Sequence, residues 1–478
     1  MYTDPKISNN KKGITLWQLM SLFVFVGIFF IPFTSYSGIN FLGEFAKESS
    51  AIFFLLAGGV LIFQTILTDR IYIPFRNILF QILLLLFLWY FISTVLNFAE
   101  IKGYFFKGIS GPERFIRQYA VVLLSGILFF LTYLNVFQRF NSQELFFKIR
   151  RIIFYSMIIV TSYAIIEILI IKFNQKFLYS ILELYDFLPF VKVELDYNLS
   201  RISSITFETP ALATYLFMVA GWMFSYVLTD KGLKAFIPGI ITILLAVFSD
   251  SRAGLFVIFL QAAVFGILLI RQRKYHRILI KVIGLATIAL LLMGIVKGRD
   301  IANYISEQVN SFEAKDDQHG ISNRSRFGIQ YASLMVFLEN PIIGVGYGQQ
   351  AYEAKNKYPA WATKNNWEFR LKYLNFQDSS FPPGYNIYTR LLAETGIVGI
   401  AIFLFLLIMI LLITLGIIKK NDKRNLMAIV IFTSMIGFYF NWLKMDTIRV
   451  FGFWLNFALL LSLTEKSKPI TLKHKQDD

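Results

Sequence analysis

Apolar runs recur along almost the whole chain, each long enough to cross the hydrocarbon layer of a bilayer as a helix of roughly 20 residues. That feature excludes a water-soluble domain, because a helix apolar on every side must face lipid or be wrapped by other helices. The runs centre on 14–33, 51–67, 77–97, 119–136, 152–171, 210–228, 236–248, 255–270, 278–296, 396–418, 425–443 and 450–464. Composition agrees, with 56% hydrophobic residues and 51 phenylalanines in 478, far from the usage of soluble domains. The fold class expected is therefore all-α: a polytopic integral membrane protein of about twelve transmembrane helices, with residues 1–478 forming a single transmembrane helical domain. The first run lacks a small-residue cleavage site and is followed by further spans, so it reads as a retained helix rather than a signal peptide.

Charge sets the expected topology. An even number of spans puts both termini on one side, together with the connections "TDRIYIPFR", "QRFNSQELFFKIRR", "TDKGLKA", "RQRKYHR" and "KKNDKR". These segments and the tails hold roughly twice as many Lys and Arg as the short loops opposite, which places both termini in the cytoplasm. The net charge of +17 is thus mostly a topology signal, and no nucleic-acid motif accompanies it. With no cysteine, thiol redox chemistry and thiolate metal sites are excluded. The three histidines, His276, His319 and His474, are far apart in sequence and suggest no metal centre; no cofactor motif is evident either.

One connection differs from the rest. Residues 298–384, between the ninth and tenth runs, form a long polar segment on the extracytoplasmic side of this topology. Loops of that length are usually functional or disordered, and the aromatic-rich "YPAWATKNNWEFRLKYLNF" argues against disorder. Its rings suit either the apolar faces of sugars or anchoring at the membrane surface.

Several polar residues on the same side are candidates for chemistry. Arg252, in the short turn "FSDSRAGLFV", cannot move far from the bilayer boundary, where an ionisable group is a functional candidate; the plainer alternative is snorkelling or a pair with Asp250. Arg201 in "NLSRISS" and Arg324 and Arg326 in "NRSRFGIQY" are each a solvated charge when taken singly. Together with Arg252 they offer several rigid forks on one face, suited to phosphate or pyrophosphate without a metal. Glu208 in "TFETPALATYL" is either an ordinary acid at a helix start or a general base or hydroxyl-binding group at the mouth of a cavity. The glycines of "NPIIGVGYGQQ" follow a helical pattern, the wrong order for a nucleotide fingerprint, and read as a tight turn allowing close backbone approach.

The order "SRAG" at a span start, "SRFGIQYASLMVFLENPIIGVGYG" in the long loop and "GYNIYTRLLAETGIVG" leading into the next span resembles the O-antigen ligase and polymerase superfamily. "RISSITFETPALATYL" is similar to the Arg-to-Glu-Pro segment of many of its polymerases. The resemblance covers about 195 to 418. It implies a membrane glycosyltransferase of the bacterial inner membrane, active on the extracytoplasmic face. The donor would be a glycan on undecaprenyl pyrophosphate and the acceptor another glycan or lipid-linked glycan, with no metal or other cofactor. By the same resemblance Arg252 and Arg326 correspond to the arginines implicated with the donor pyrophosphate, with Arg324 a nearby alternative and Arg201 assisting.

The chain departs from the ligase pattern at one place. Where ligases typically carry histidine before the Asn, this sequence has Tyr385 followed by Asn386. A phenol with a pKa near ~10 is a poor base at neutral pH, so Tyr385 is expected to orient the acceptor or stack on sugar, with deprotonation falling to Glu208 or another carboxylate. The expectation is therefore a polymerase of lipid-linked repeat units in O-antigen, capsule or exopolysaccharide assembly, with a chain-length regulator as a further partner. The alternatives are a ligase transferring the glycan to lipid A core and, from another class, a polysaccharide flippase. A flippase would be expected to place broken helices and polar groups near mid-membrane.

Overall fold

The computed structural model of the protein describes residues 15–68, 70–195, 201–270, 276, 280, 318–464 and 470–471. Among them are seven helices long and apolar enough to cross a membrane by length and composition: Ser49–Thr68 (α2), Ile78–Leu96 (α3), Gly111–Phe137 (α4), Ser142–Ile171 (α5), Thr209–Thr229 (its regular part Thr209–Phe224, α6), Arg252–Ile270 (α8) and Ile387–Lys420 (α10). Shorter apolar helices accompany them: Leu16–Phe29 (α1), Ile237–Phe248 (α7), Asn425–Asn441 (α11) and Phe451–Thr464 (α12). The protein is an all-α polytopic membrane protein, and these helices match the expected runs except the ninth, 278–296, of which only residue 280 is among the described residues.

Three helices start earlier than hydropathy suggests. Ser110, Asn141 and Asn386 each accept a backbone N–H of the following turn, the usual N-terminal stop for a helix, so α4, α5 and α10 begin at 111, 142 and 387. The added turns carry Arg114, Arg150, Arg390 and Glu394, polar residues that a hydropathy window leaves outside its run.

Packing between helices depends on small and polar residues, as it must where lipid is as apolar as the side chains. The trio α6, α8 and α11 shows this most clearly. A Cβ on Gly221 of α6 would lie 2.9 Å from the Val430 carbonyl of α11, and Gln261 of α8 donates through Nε2 to the carbonyls of Phe217 (2.9 Å) and Thr433 (3.0 Å). This joint fixes the level of the helix ends. Glu208 precedes α6, Arg252 opens α8 and Lys444 follows α11, each about nine to eleven residues from the shared amide, or about 13–16 Å at 1.5 Å per residue. They therefore surface together at one end of the bundle, called here the site end.

At the opposite end, the two-residue strands Arg70–Ile71 (β1) and Ile470–Thr471 (β2) pair antiparallel. The chain after α12 is thereby tied to the α2–α3 connection.

The site end is covered by Gln318–Glu339 (α9) and the segment up to Asn386. This segment has a core of its own, in which Ile329, Ala362, Phe369 and Tyr373 are buried together against Tyr358 and Tyr385. Of the loop aromatics, Tyr358 and Tyr373 thus serve packing, whereas Trp361 and Phe376 are exposed. The glycine-rich turn after α9 is the expected close approach. Gly344 (φ 68°) and Gly396 (φ 64°) press backbone on backbone, and a Cβ on Gly396 would meet the Ile342 carbonyl at 2.1 Å. The amides of Val345 and Gly346 donate to the Ala393 and Glu394 carbonyls, so the loop and the kinked start of α10 are one unit.

Candidate functional site

Three chain segments enter the site end through non-glycine residues in left-handed conformation: Ser204 (φ 53°) before Glu208, Asp250 (φ 57°) before Arg252, and Tyr385 (φ 55°) before Asn386. That conformation costs of order 1–3 kcal/mol each and persists only where surroundings impose it. For Ser204 the imposing group is the buried Glu167 of α5, whose carboxylate accepts the amides of Ser203 (3.0 Å) and Ser204 (2.8 Å). The Thr34 hydroxyl accepts the Phe207 amide. Glu208 follows at the N-cap of α6 without capping it through its side chain, which leaves the carboxyl available.

The Asn386 side chain caps α10 by accepting the amides of Tyr388 and Thr389, and donates to Gln330 of α9 at 3.3 Å. It therefore acts here as a joint between two helices. Tyr385 packs beside it, its hydroxyl bonded to that of Tyr373 and its ring 5.5 Å from the Arg326 guanidinium carbon. Burial pushes the Tyr385 phenol above its ordinary pKa, with Tyr373 and Arg326 opposing the shift. That direction is wrong for a base.

The field around Glu208 is strongly positive. Lys47, Lys444 and Arg326 all act on its carboxyl. Glu208 is open to solvent on one side, yet burial by its surroundings raises its pKa despite the three cations. Burial, then the neighbouring Arg326, brings Lys444 down to about 8, with Glu208 pulling the other way. Among the described residues none of Lys47, Lys444 and Arg326 has a carboxylate within ion-pair distance. Their ammonium and guanidinium groups meet aromatic faces instead: Lys47 the Phe207 ring at 5.1 Å and Lys444 the Phe217 ring at 5.2 Å. Arg252 stands half-buried at the head of α8, where Gly254 packs close to Ala213, one turn below Glu208. Asp250 pairs with Lys172 at 3.4 Å. Arg324 lies two residues from Arg326 on α9, about 200° round the helix, and Arg201 is half-buried at the start of the strap that ends in Glu208.

Residues 237–404 match the O-antigen ligase family. The match supports the O-antigen ligase and polymerase superfamily, whose members are membrane glycosyltransferase-like enzymes using lipid-linked glycans and acceptors. The matched segment takes in Arg252, Arg326, Tyr385 and Asn386, but neither Glu208 and Arg201 nor Lys47; Lys444 also lies outside it. No curated protein matches the chain.

Sequence reasoning missed a second layer. Arg390, buried in the first turn of α10, donates through Nε to Glu394 (3.0 Å), through one terminal nitrogen to the Asp446 carbonyl (2.9 Å) and through the other to Gln118 of α4 (3.2 Å). Asp446 in turn accepts the Gly384 amide at 2.6 Å. One guanidinium thus bolts together α4, the start of α10, the turn before Tyr385 and the loop carrying Lys444. The signal was visible as the i,i+4 pair in "TRLLAETG". Lys444 could have been found by the argument applied to Arg252, a cation in a connection too short to leave the boundary; Lys47 has no such signature. His474 and the side chain of His319 lie outside the described residues.

Proposed function

We propose that this protein polymerises lipid-linked oligosaccharide repeat units, with undecaprenyl pyrophosphate as the leaving group and the site end facing the extracytoplasmic side. The observation that carries the reading is the group of cations converging on Glu208 without carboxylate partners among the described residues: Arg326, Lys444 and Lys47, with Arg252 heading the adjacent helix. Lys47, Lys444 and Arg326, each seated on an aromatic ring and with no carboxylate within ion-pair distance among the described residues, suit an anion of more than one charge.

The acceptor hydroxyl oxygen attacks the anomeric carbon of the donor glycan, and its proton passes to the Glu208 carboxylate. The bond from anomeric carbon to pyrophosphate oxygen breaks, and the electron pair leaves on the pyrophosphate. Arg252, Arg326, Lys444 and Lys47 stabilise that developing charge; Arg201, at the start of the strap that ends in Glu208, extends the binding surface, whereas Arg324 lies round the other face of α9 from Arg326. A raised Glu208 pKa suits a base, because the conjugate acid then holds the proton more firmly. Tyr385 and Asn386 shape the acceptor side. The aromatic segment from Tyr358 to Phe376 supplies exposed rings for sugar faces. The basic connections at the opposite end support a cytoplasmic location for both termini.

The ligase reading retains one observation in its favour, the match of residues 237–404 to the O-antigen ligase family; Tyr385 in place of histidine favours polymerisation. Both are tested together. Purified protein in lipid is supplied with a lipid-linked repeat unit alone, and the products are separated by size. A ladder of lengthening lipid-linked chains is the polymerase outcome, and transfer only upon addition of lipid A core is the ligase outcome. The double variant Arg252→Ala/Arg326→Ala, correctly inserted, is expected to abolish either. Full activity in it would sink the pyrophosphate assignment.

A further inference from the structure

An apolar groove of about 680 Å³ runs along the outer surface of the α1–α2 pair, in a part of the chain outside the family match. It reaches from Leu16 and Phe63 near the opposite end, past Leu55 and Gly59, to Ile39 and Leu42 at the site end. The adjacent glycines of α2 divide two tasks. A Cβ on Gly58 would press on Leu128 of α4 at 3.0 Å, whereas a Cβ on Gly59 would meet nothing within 4 Å. Gly59 therefore leaves space open in the groove wall rather than permitting helix contact.

The mouth of the groove lies beside the cationic cluster. The Ile39 amide donates to the Ala46 carbonyl at 2.8 Å, and the next residue is Lys47, whose ammonium faces Phe207 and acts on Glu208. Apolar surface from Phe63 to Ile52 of α2, about 17 Å at 1.5 Å per residue, thus ends beside a cation of the proposed cluster. A ligand that satisfies both parts has a long hydrocarbon tail joined to an anionic head. The geometry points to the α1–α2 groove as the seat of the donor's isoprenoid tail, with Lys47 at the junction of tail and pyrophosphate. This assignment rests on the donor proposed above and adds the path by which its lipid leaves the site.

The test uses the full chain in nanodiscs of phosphatidylethanolamine and phosphatidylglycerol, with undecaprenyl pyrophosphate carrying a photoactivatable diazirine in its tail. Labelled peptides are mapped by mass spectrometry, with and without unlabelled undecaprenyl pyrophosphate as competitor. Competable labelling within Leu16–Phe29 and Ser49–Thr68 is expected. It should fall about tenfold in Gly59→Phe, which fills the groove, and in Leu56→Trp, an exposed position where folding is not at stake. Leu412→Trp, exposed on α10, should leave it unchanged. Competable labelling on other helices, or labelling of α1 and α2 that added phospholipid displaces and the pyrophosphate does not, overturns the groove while leaving the donor intact. No competable labelling anywhere overturns the donor as well.

Discussion

Removing the Arg390 guanidinium should damage this protein more than removing any single cation of the cluster. Arg390 is 7% exposed and Glu394 1% exposed, with their nitrogen and oxygen 3.0 Å apart. At that separation and an effective dielectric of about 20, the attraction is about 5 kcal/mol. Arg390→Met leaves the Glu394 carboxylate buried without its cation, and among the described residues Glu394 Oε2 already has no hydrogen-bond partner. A broken buried pair typically costs about 3–5 kcal/mol, whereas replacing both partners with apolar side chains is often close to neutral. Arg390→Met/Glu394→Leu should therefore recover about 2–3 kcal/mol relative to the sum of the single changes, short of full recovery because Asp446 and Gln118 still lose a donor. The assay is the unfolding free energy from titration with denaturing detergent, across all four members of the cycle. Activity should not return with stability, since the loop that presents Lys444 remains unbolted. A single variant within about 0.5 kcal/mol of the parent, or strictly additive losses, would refute the reasoning.

Activity should follow a bell in pH. The acid limb reflects protonation of Glu208, displaced above the ordinary carboxyl range because its pKa is raised. The basic limb reflects loss of the Lys444 proton near pH 8, and Lys444→Arg should move that limb upward. Tyr385→Phe keeps the ring beside Arg326 and deletes only the hydroxyl bonded to Tyr373. It should lose less than about tenfold in kcat, whereas removal of a general base typically costs about 10²–10⁴-fold, so a loss in that range would return the phenol to candidacy. Gly396→Ala sets a Cβ against the Ile342 carbonyl in a left-handed conformation, and should cost about 1–3 kcal/mol in the same unfolding assay.

Much of the helix content was legible because lipid enforces a simple rule: a spanning helix is a long apolar run, and α2, α3, α6 and α8 appear where the runs do. The starts of α4, α5 and α10 were not legible from hydropathy, since Ser110, Asn141 and Asn386 begin those helices in polar sequence. At the site, Arg252, Arg326, Glu208 and Tyr385 stood out as polar groups near the membrane boundary. Lys47 and Lys444 come from connections separated by almost 400 residues, and only the α6–α8–α11 joint and the strap held by Glu167 bring Lys444 and Glu208 to one level. The inward-facing Arg390 was passed over because it lay between the polar loop and the apolar run, in a turn assigned to neither.

The kink at Gly396 has a consequence for the height at which the site end stands. Helix α10 has 34 residues, about 51 Å at 1.5 Å per residue, far more than the ~30 Å of hydrocarbon it has to cross. The roughly 24 residues beyond Gly396 suffice for that crossing, which leaves the turns carrying Arg390 and Glu394, and with them Tyr385, standing at the height of the phospholipid headgroups. On the function proposed above, a polar glycan would approach along the water–lipid boundary, and only the isoprenoid end of its carrier would sink below it.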